Sequence, residues 1–467
     1  MKKTLSAFLA LIISLSFVFS IPFTAQAATY KPDRKIYAHA YMLINLDDDS
    51  CPVVAEKNSD ERLYPASLTK IATAMVVINK VKDLKAKTKM SQTAYDAILG
   101  SGAQVAGIKV GQELTVDKLL YLTMVHSACD ACQVLAEYVS GTCEAFVAEM
   151  NAWAKSIGCK DTNFVNPDGL HDPNHYTTAR DMATMTIEAL KNADFVRYAT
   201  ATEVEFGGYT LGHTNLMLHP GYVTYYYEYA QGIKTGSTEE ADYCVITKAS
   251  KDGYNYLAVV MKSPRKKIKN QSYETKCSFV DAKSLFEWAF DSLKYTTLVN
   301  ESEVVNEVAV KNGKDADTVQ LVAKENVNVI VPAGLDKSAV IFKPVDKPEY
   351  IEAPVSKGQP VCSAEIIYAD EVIATVDLVA GDNIELSTFL TVVNAIKAFF
   401  SSTAVKIIFV ALFIAVLFYI YLLYKNFTKK KNRRRSRQSA EEEMEDRRRN
   451  AQSRSDDYLP PPKRRNK

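Results

Sequence analysis

Three short motifs, Ser67-Leu68-Thr69-Lys70, Ser127-Ala128-Cys129 and Lys234-Thr235-Gly236, follow one another along the chain. A fold that uses them has to bring segments far apart in sequence to one place. An SxxK pair alone means little, because Ser and Lys are common and the chain offers a second match at Ser263 and Lys266. The ordered triple is much harder to reach by chance.

Each motif has a plain reading and a chemical one. Ser67 and Lys70 could be a helix-start residue and a solvated charge. Three apart at the start of a helix, however, they share one face, and the lysine can take the serine's proton. That requires Lys70 to be neutral part of the time, which burial and a second cation such as Lys234 would promote. The helix N-terminus adds donors where negative charge develops on an attacked carbonyl. Lys234-Thr235-Gly236 falls on a predicted strand, where a cation and a hydroxyl can bind a terminal carboxylate and the glycine lets substrate backbone approach. Ser127 can relay a proton between Lys234, Lys70 and a leaving amine, although most such serines cap helices.

The ends of the chain set its compartment. Lys2 and Lys3 precede an apolar run over 5–19, and Ala25-Gln26-Ala27 offers a small-x-small cleavage site, so 1–27 reads as a secretory signal peptide. Residues 404–424 are apolar apart from Lys406, enough for a transmembrane helix across a bilayer core of roughly 30 Å. Lys425, Lys429, Lys430, Lys431, Arg433, Arg434, Arg435 and Arg437 follow it, and such a cluster stays on the cytoplasmic side. The chain is therefore expected to sit in the cell membrane as a single-pass protein, with its body outside and the tail 425–467 inside. The formal net charge of +1 conceals that tail, whose blocks 441–443, 447–449 and 460–462 read as disordered. Its position beside the span favours contact with anionic lipid over nucleic acid.

At 467 residues the chain is too long for one ordinary core, which predicts two globular domains plus extensions. Strand patterns at 37–45 and 53–56 suit a hairpin; after Pro65 the period changes to that of a buried helix beginning close to Ser67. Helical spacing at 116–126 and 132–139 leaves Ser127 to Asp130 as a polar interhelical turn. Strand-like runs at 232–236, 243–248 and 254–261 predict an antiparallel sheet, with a helix at 281–293 after it. Beyond about Leu298 the pattern is β-rich, giving a small β-sandwich-like domain at 298–385. Residues 386–403 are expected to form an amphipathic juxtamembrane segment that lies on the bilayer.

The eight cysteines match no compact disulfide framework. Cys129 and Cys132 have redox or zinc spacing, but there is no second CxxC and no thioredoxin-like unit around them. His126 adjoins Ser127 without a matching Asp, and Pro173 interrupts the His171 and His175 pair. No metal or cofactor is required.

Taken together, Tyr64-Pro65-Ala66-Ser67-Leu68-Thr69-Lys70, Asn166-Pro167-Asp168-Gly169-Leu170, His175-Tyr176-Thr177-Thr178-Ala179-Arg180-Asp181 and Gly232-Ile233-Lys234-Thr235-Gly236 resemble the serine-type D-Ala-D-Ala carboxypeptidases, the low-molecular-weight penicillin-binding proteins of peptidase family S11. The resemblance covers about 33–295 and continues more weakly through Glu352-Ala353-Pro354-Val355 and Lys357-Gly358-Gln359. It implies an α+β fold: a β-lactamase/transpeptidase-like catalytic domain at 33–295, an antiparallel sheet with helices, followed by the β-sandwich-like domain and the C-terminal transmembrane helix. It implies Ser67 as acylated nucleophile, Lys70 as general base, Ser127 as proton relay and Lys234, with Thr235 and Gly236, as ligands of the substrate carboxylate. The backbone N–H groups of Ser67 and Ser237 would form the oxyanion hole. The expected partners are peptidoglycan stem peptides ending in D-Ala-D-Ala, β-lactam antibiotics as acylating inhibitors, and the lipid bilayer.

The departure from the family pattern is Cys129, where Asn is usual. A thiol is a much weaker hydrogen-bonding group than a carboxamide, so a contact to the substrate amide is expected to be weakened. Two alternatives follow: a class A-like β-lactamase, which would need a Glu to activate water where this chain has Asn166-Pro167-Asp168-Gly169-Leu170, and a wall-binding membrane protein that has lost turnover through Cys129.

Overall fold

The computed structural model describes residues 29–268 and 272–453. The proposed signal peptide and the last part of the tail lie outside the described residues. The described residues divide into two compact units: one takes in those up to Glu307 with Gln320–Pro348 and Lys357–Gly381, the other Val308–Val319, Glu349–Ser356 and those from Asp382 onward.

In the first unit, strands β1 (Ala40–Asn45), β2 (Val53–Lys57), β3 (Ala230–Thr238), β4 (Asp242–Lys251) and β5 (Tyr254–Ser263) form an antiparallel sheet in the order β2-β1-β5-β4-β3. Leu43 pairs with Ala258, so the chain's first strand is laid down beside one of its last in this sheet. Side chains alternate across the pleat. Met42, Ile44, Ile246, Leu257 and Val259 enter one core, and Leu43, Val245, Ala258 and Val260 the other. Both faces are apolar because helices cover both.

Helices α1 (Lys70–Lys80), α2 (Val116–Met124), α3 (Cys129–Ser140), α4 (Cys143–Ser156), α5 (Ala179–Leu190) and α6 (Ala193–Thr200) contribute to the first core, and α7 (Cys277–Ser292) closes the second with Phe279, Leu285 and Phe286. Every residue of α1 from Lys70 to Val77 is buried. A helix buried all round belongs at the centre of a domain, and the 3-10 turn that leads into it, Ala66–Thr69, packs against the edge strand β3. Helix α7 starts four residues earlier than the periodicity predicts and gives way at Leu293 to a strand, where Tyr295, Thr296, Thr297 and Val299 favour extended backbone.

The same unit continues with β6 (Leu293–Val299). After β7 (Val304–Lys311) come β8 (Thr318–Ala323), β9 (Val327–Pro332), β10 (Ile341–Val345), β11 (Tyr350–Glu352), β12 (Pro360–Tyr368) and β13 (Glu371–Ala380). β6 and β9 pair as a ribbon, and β10, β12, β13 and β8 pair antiparallel in that order. β9 packs on β13, which gives the two-layered β arrangement expected.

In the second unit, the end of β7 pairs parallel with β11 through Ala309 and Tyr350. Helix α8 (Thr388–Ser401), capped by Ser387 Oγ, leaves Phe389, Val392, Ile396, Phe399 and Phe400 exposed. Helix α9 (Thr403–Ser453) contains, among the described residues, the one stretch long and apolar enough to cross a membrane. The tail expected to be disordered differs from this: it continues α9 without a break as far as Ser453. Its Lys, Arg and Glu residues are strong helix formers, and Arg447 pairs with Glu443 one turn away.

Candidate active site

Pro65 leads into a 3-10 turn at Ala66–Thr69 that precedes α1, so Ser67 lies just before the α-helix rather than within it. With three residues per turn, positions three apart stand directly over one another. Lys70 Nζ accordingly donates to Ser67 Oγ at 2.9 Å. The turn is entered through Ala66 at φ 48, a left-handed conformation that costs an L-residue about 1–2 kcal/mol.

Two glycines hold that strained turn. A Cβ on Gly169, itself at φ 84, would lie 1.9 Å from the Ala66 carbonyl oxygen, and one on Gly236 would lie 2.7 Å from Pro65 O and 3.2 Å from Ser67 N. Gly236 is thus buried against the backbone of Ser67. The missing side chain admits the close approach of β3 to Ser67, and Gly236 also lines the cleft. The next residue, Ser237, is exposed at the strand's edge.

Behind the turn, Thr69 Oγ1 donates to Ala66 O at 2.8 Å and lies 2.8 Å from His175 Nε2. Val165 N donates to His175 Nδ1, so the imidazole proton resides on Nε2 and is given to Thr69. Burial pulls His175 down to about 4, which keeps it neutral in this role. Sequence reasoning weighed His175 only as a metal ligand and missed it as a brace.

Ser127 does not cap α3. The N-cap position is Ala128, without a side-chain bond, and Ser127 at φ 60 instead receives Lys234 Nζ at 2.8 Å. Lys234 also donates to Thr235 O at 3.0 Å, while Thr235 Oγ1 donates to Thr214 Oγ1 at 2.6 Å. Cys129, expected in a polar turn, is the first residue of α3 and 4% exposed. Its Sγ lies 3.4 Å from Lys70 Nζ. The helix starts earlier than its apolar spacing suggests because Asp130, in its first turn, accepts from Ala106, Gly107, Ile108 and Ala131 N–H groups at 2.9–3.0 Å.

Lys70 completes its shell with the main-chain oxygen of Asp168 at 2.6 Å, and Thr73 Oγ1 donates to Pro167 O. The 166–170 segment is braced by its own bonds: Gly169 N to Asn166 Oδ1, and Leu170 N to Asp168 Oδ1. Both lysines are fully buried. Lys234 is pushed well below the ordinary lysine value, by burial first and then by the charge of Lys70. Burial pulls Lys70 down as well, but negative charge on Cys129, Cys132 and Asp168 more than offsets it, and Lys70 is held above the ordinary value. The two sulfurs act in this way only as thiolates. Burial pushes both thiols up, so near neutral pH they are uncharged, the larger part of that upward pull is absent, and burial, the largest effect on Lys70, disfavours its charge. Burial therefore disfavours charge on both amines, and the charge of Lys70 lowers Lys234 further.

These groups open on one cleft of about 720 Å³, lined by Ser67, Gln104, Ser127, Cys129, Thr235 and Ser237 among others. The second SxxK match leads elsewhere, since Ser263 is buried at the end of β5 and donates to Asp281 Oδ2 at 2.7 Å. His126 is half-buried, and its carbonyl accepts from Gln104 Nε2. The eight cysteines are free thiols. Asp168, Gly169 and His175 are the functional positions that residue-type reasoning left out of the site.

A sequence model of the D-alanyl-D-alanine carboxypeptidase family matches residues 24–265, and one of the penicillin-binding protein 5 C-terminal domain matches 293–386. The chain is 30% identical over 398 residues to D-alanyl-D-alanine carboxypeptidase DacF of Bacillus subtilis (strain 168), covering 84% of this chain and 97% of the relative. It is 30% identical over 383 residues to DacC of Escherichia coli (strain K12), covering 80% and 91%. The crystal structure of penicillin binding protein 5 from Haemophilus influenzae superposes with a TM-score of 0.58 at 26% identity, over 76% of this chain and 99% of that one.

Proposed function

The chain belongs to the D-alanyl-D-alanine carboxypeptidase family, and on that premise we propose that it removes the terminal D-alanine of peptidoglycan stem pentapeptides through an acyl-enzyme on Ser67. Ser67 Oγ attacks the carbonyl of the penultimate D-alanine while Lys70 takes its proton. The oxyanion that forms would be received by the N–H groups of Ser67 and Ser237; the close packing of Gly236, the residue before Ser237, against the Ser67 backbone supports this. Ser127, joined to Lys234, returns a proton to the leaving amine, and water then releases the acyl group from Ser67. Lys234, Thr235 and Gly236 remain our candidates for the substrate carboxylate. Lys234 would serve there as a cation only once that anion offsets the charge of Lys70.

The observation that carries this reading is the pair of contacts opening on one cleft, Lys70 Nζ to Ser67 Oγ at 2.9 Å and Lys234 Nζ to Ser127 Oγ at 2.8 Å. The test is release of D-alanine from a pentapeptide by the full chain, alongside labelling by a fluorescent penicillin. Both should occur. Labelling without release would mean a protein that binds the wall but has lost turnover, and neither would end the proposal.

We further propose a catalytic domain over 33–295, a β-domain over 298–385 and a single span at 404–424, with the body outside the membrane and the basic residues after Tyr424 inside. Protease added to intact cells should then digest the body while an epitope placed after Lys467 survives. Loss of that epitope would reverse the orientation.

A further inference from the structure

The cleft must hold a peptide, yet its second motif ends in a thiol. Cys129 Sγ is a weak hydrogen-bonding group, lies nine-tenths or more buried and is turned towards Lys70, so it is poorly suited to pair with a peptide amide. Among the described residues that line the cleft there is one carboxamide, that of Gln104, and it is exposed.

Three sets of bonds aim it. Cys129 N donates to the Gln104 main-chain oxygen at 2.8 Å, tying the residue to the start of α3. Asp130, 1% exposed, gathers the N–H groups of Ala106, Gly107 and Ile108 and so fixes the loop just beyond it. Gln104 Nε2 donates to His126 O at 2.5 Å. This last contact settles the sense of the amide: only the nitrogen can face a carbonyl, which leaves Oε1, an acceptor, for a ligand.

Building on the carboxypeptidase reading, we propose that Gln104 is a substrate-binding residue whose Oε1 accepts the backbone N–H on the amino side of the acyl-donor residue. It supplies, from the neighbouring loop, the amide recognition that the thiol at position 129 does not. The bond forms in the bound peptide and orients its carbonyl to Ser67. A group with this contact discriminates between a peptide that has the N–H and one that lacks it.

The experiment compares two substrates that end in D-Ala-D-Ala and differ in one atom: an ordinary peptide, and an analogue in which an ester oxygen replaces the N–H on the amino side of the acyl-donor residue. In kcat/KM the wild-type chain should favour the peptide by about fivefold, the size of one neutral hydrogen bond. Gln104→Ala and Gln104→Met, the second of which keeps the stem's volume, should bring that ratio to about one while holding the rate on the ester within about twofold. A ratio unchanged in both variants overturns the proposal. So does an equal loss on both substrates, which would make Gln104 a prop for the loop. If the wild-type chain releases no D-alanine from either substrate, the carboxypeptidase reading itself falls and this proposal falls with it. A wild-type chain that turns over both substrates equally well refutes Gln104 alone.

Discussion

Ser67→Ala is expected to lose covalent capture of a labelled β-lactam completely, with little change in unfolding temperature. Among the described residues the side-chain partner of Ser67 Oγ is Lys70 Nζ, so removing the oxygen breaks one contact on the cleft side and leaves the 3-10 turn held by Thr69, Gly169 and Gly236. Ser127 and Cys129 also have an amine at hydrogen-bond distance and compete in the same cleft. Mapping the labelled peptide in the wild-type protein decides between them. A label on Ser127 or Cys129, or a Ser67→Ala protein that still labels, would displace Ser67 as nucleophile.

Lys70→Ala should slow acylation by at least about a hundredfold, the lower part of the range for a positioned base, equivalent to about 2.7 kcal/mol of barrier. Stability should fall too, because the substitution leaves Asp168 O without its 2.6 Å donor and empties a fully buried site. The two effects are separated by measuring acylation per folded molecule well below the unfolding temperature. Near-normal acylation would place the base elsewhere. Lys234, pushed below its ordinary value and bonded to Ser127, is then the amine to test, and a Lys234→Ala protein slower than Lys70→Ala would exchange their roles.

The parts of this site that could be read from the chain are those that act through the identity of a side chain at a fixed local spacing. Ser67 and Lys70 meet because they are three apart in one turn, and the strand carrying Lys234 announces itself by its alternation. The sheet, the buried helix and the β-rich region were legible for the same reason, since periodicity records which faces are covered. What stayed hidden acts through the backbone or across long separations. Lys70 is held by the main-chain oxygen of Asp168, a contact any residue could make, and His175 braces Thr69 from far along the chain. Gly236 was visible as a glycine, but nothing local says whether its open side meets a ligand or Pro65. Cys129 looked like part of a polar turn because Asp130 follows it; the loop N–H groups that bury Asp130 come from Ala106, Gly107 and Ile108, and no pattern links them. The helical tail was misjudged by weighing its charge over the helix propensity of the residues that carry it.

The turn bearing Ser67 is gripped between Gly169 and Gly236, with clearances that no side chain could enter. One jaw arrives on the loop after α4 and the other on an edge strand laid down much later, so the grip closes only when distant stretches of the chain have all reached their places. A molecule with either jaw absent has the serine and the lysine but only part of what holds Ala66 in its left-handed conformation. Covalent capture by a β-lactam therefore works as a census of native molecules: in a population partway through folding or export, the labelled fraction counts the chains that have finished.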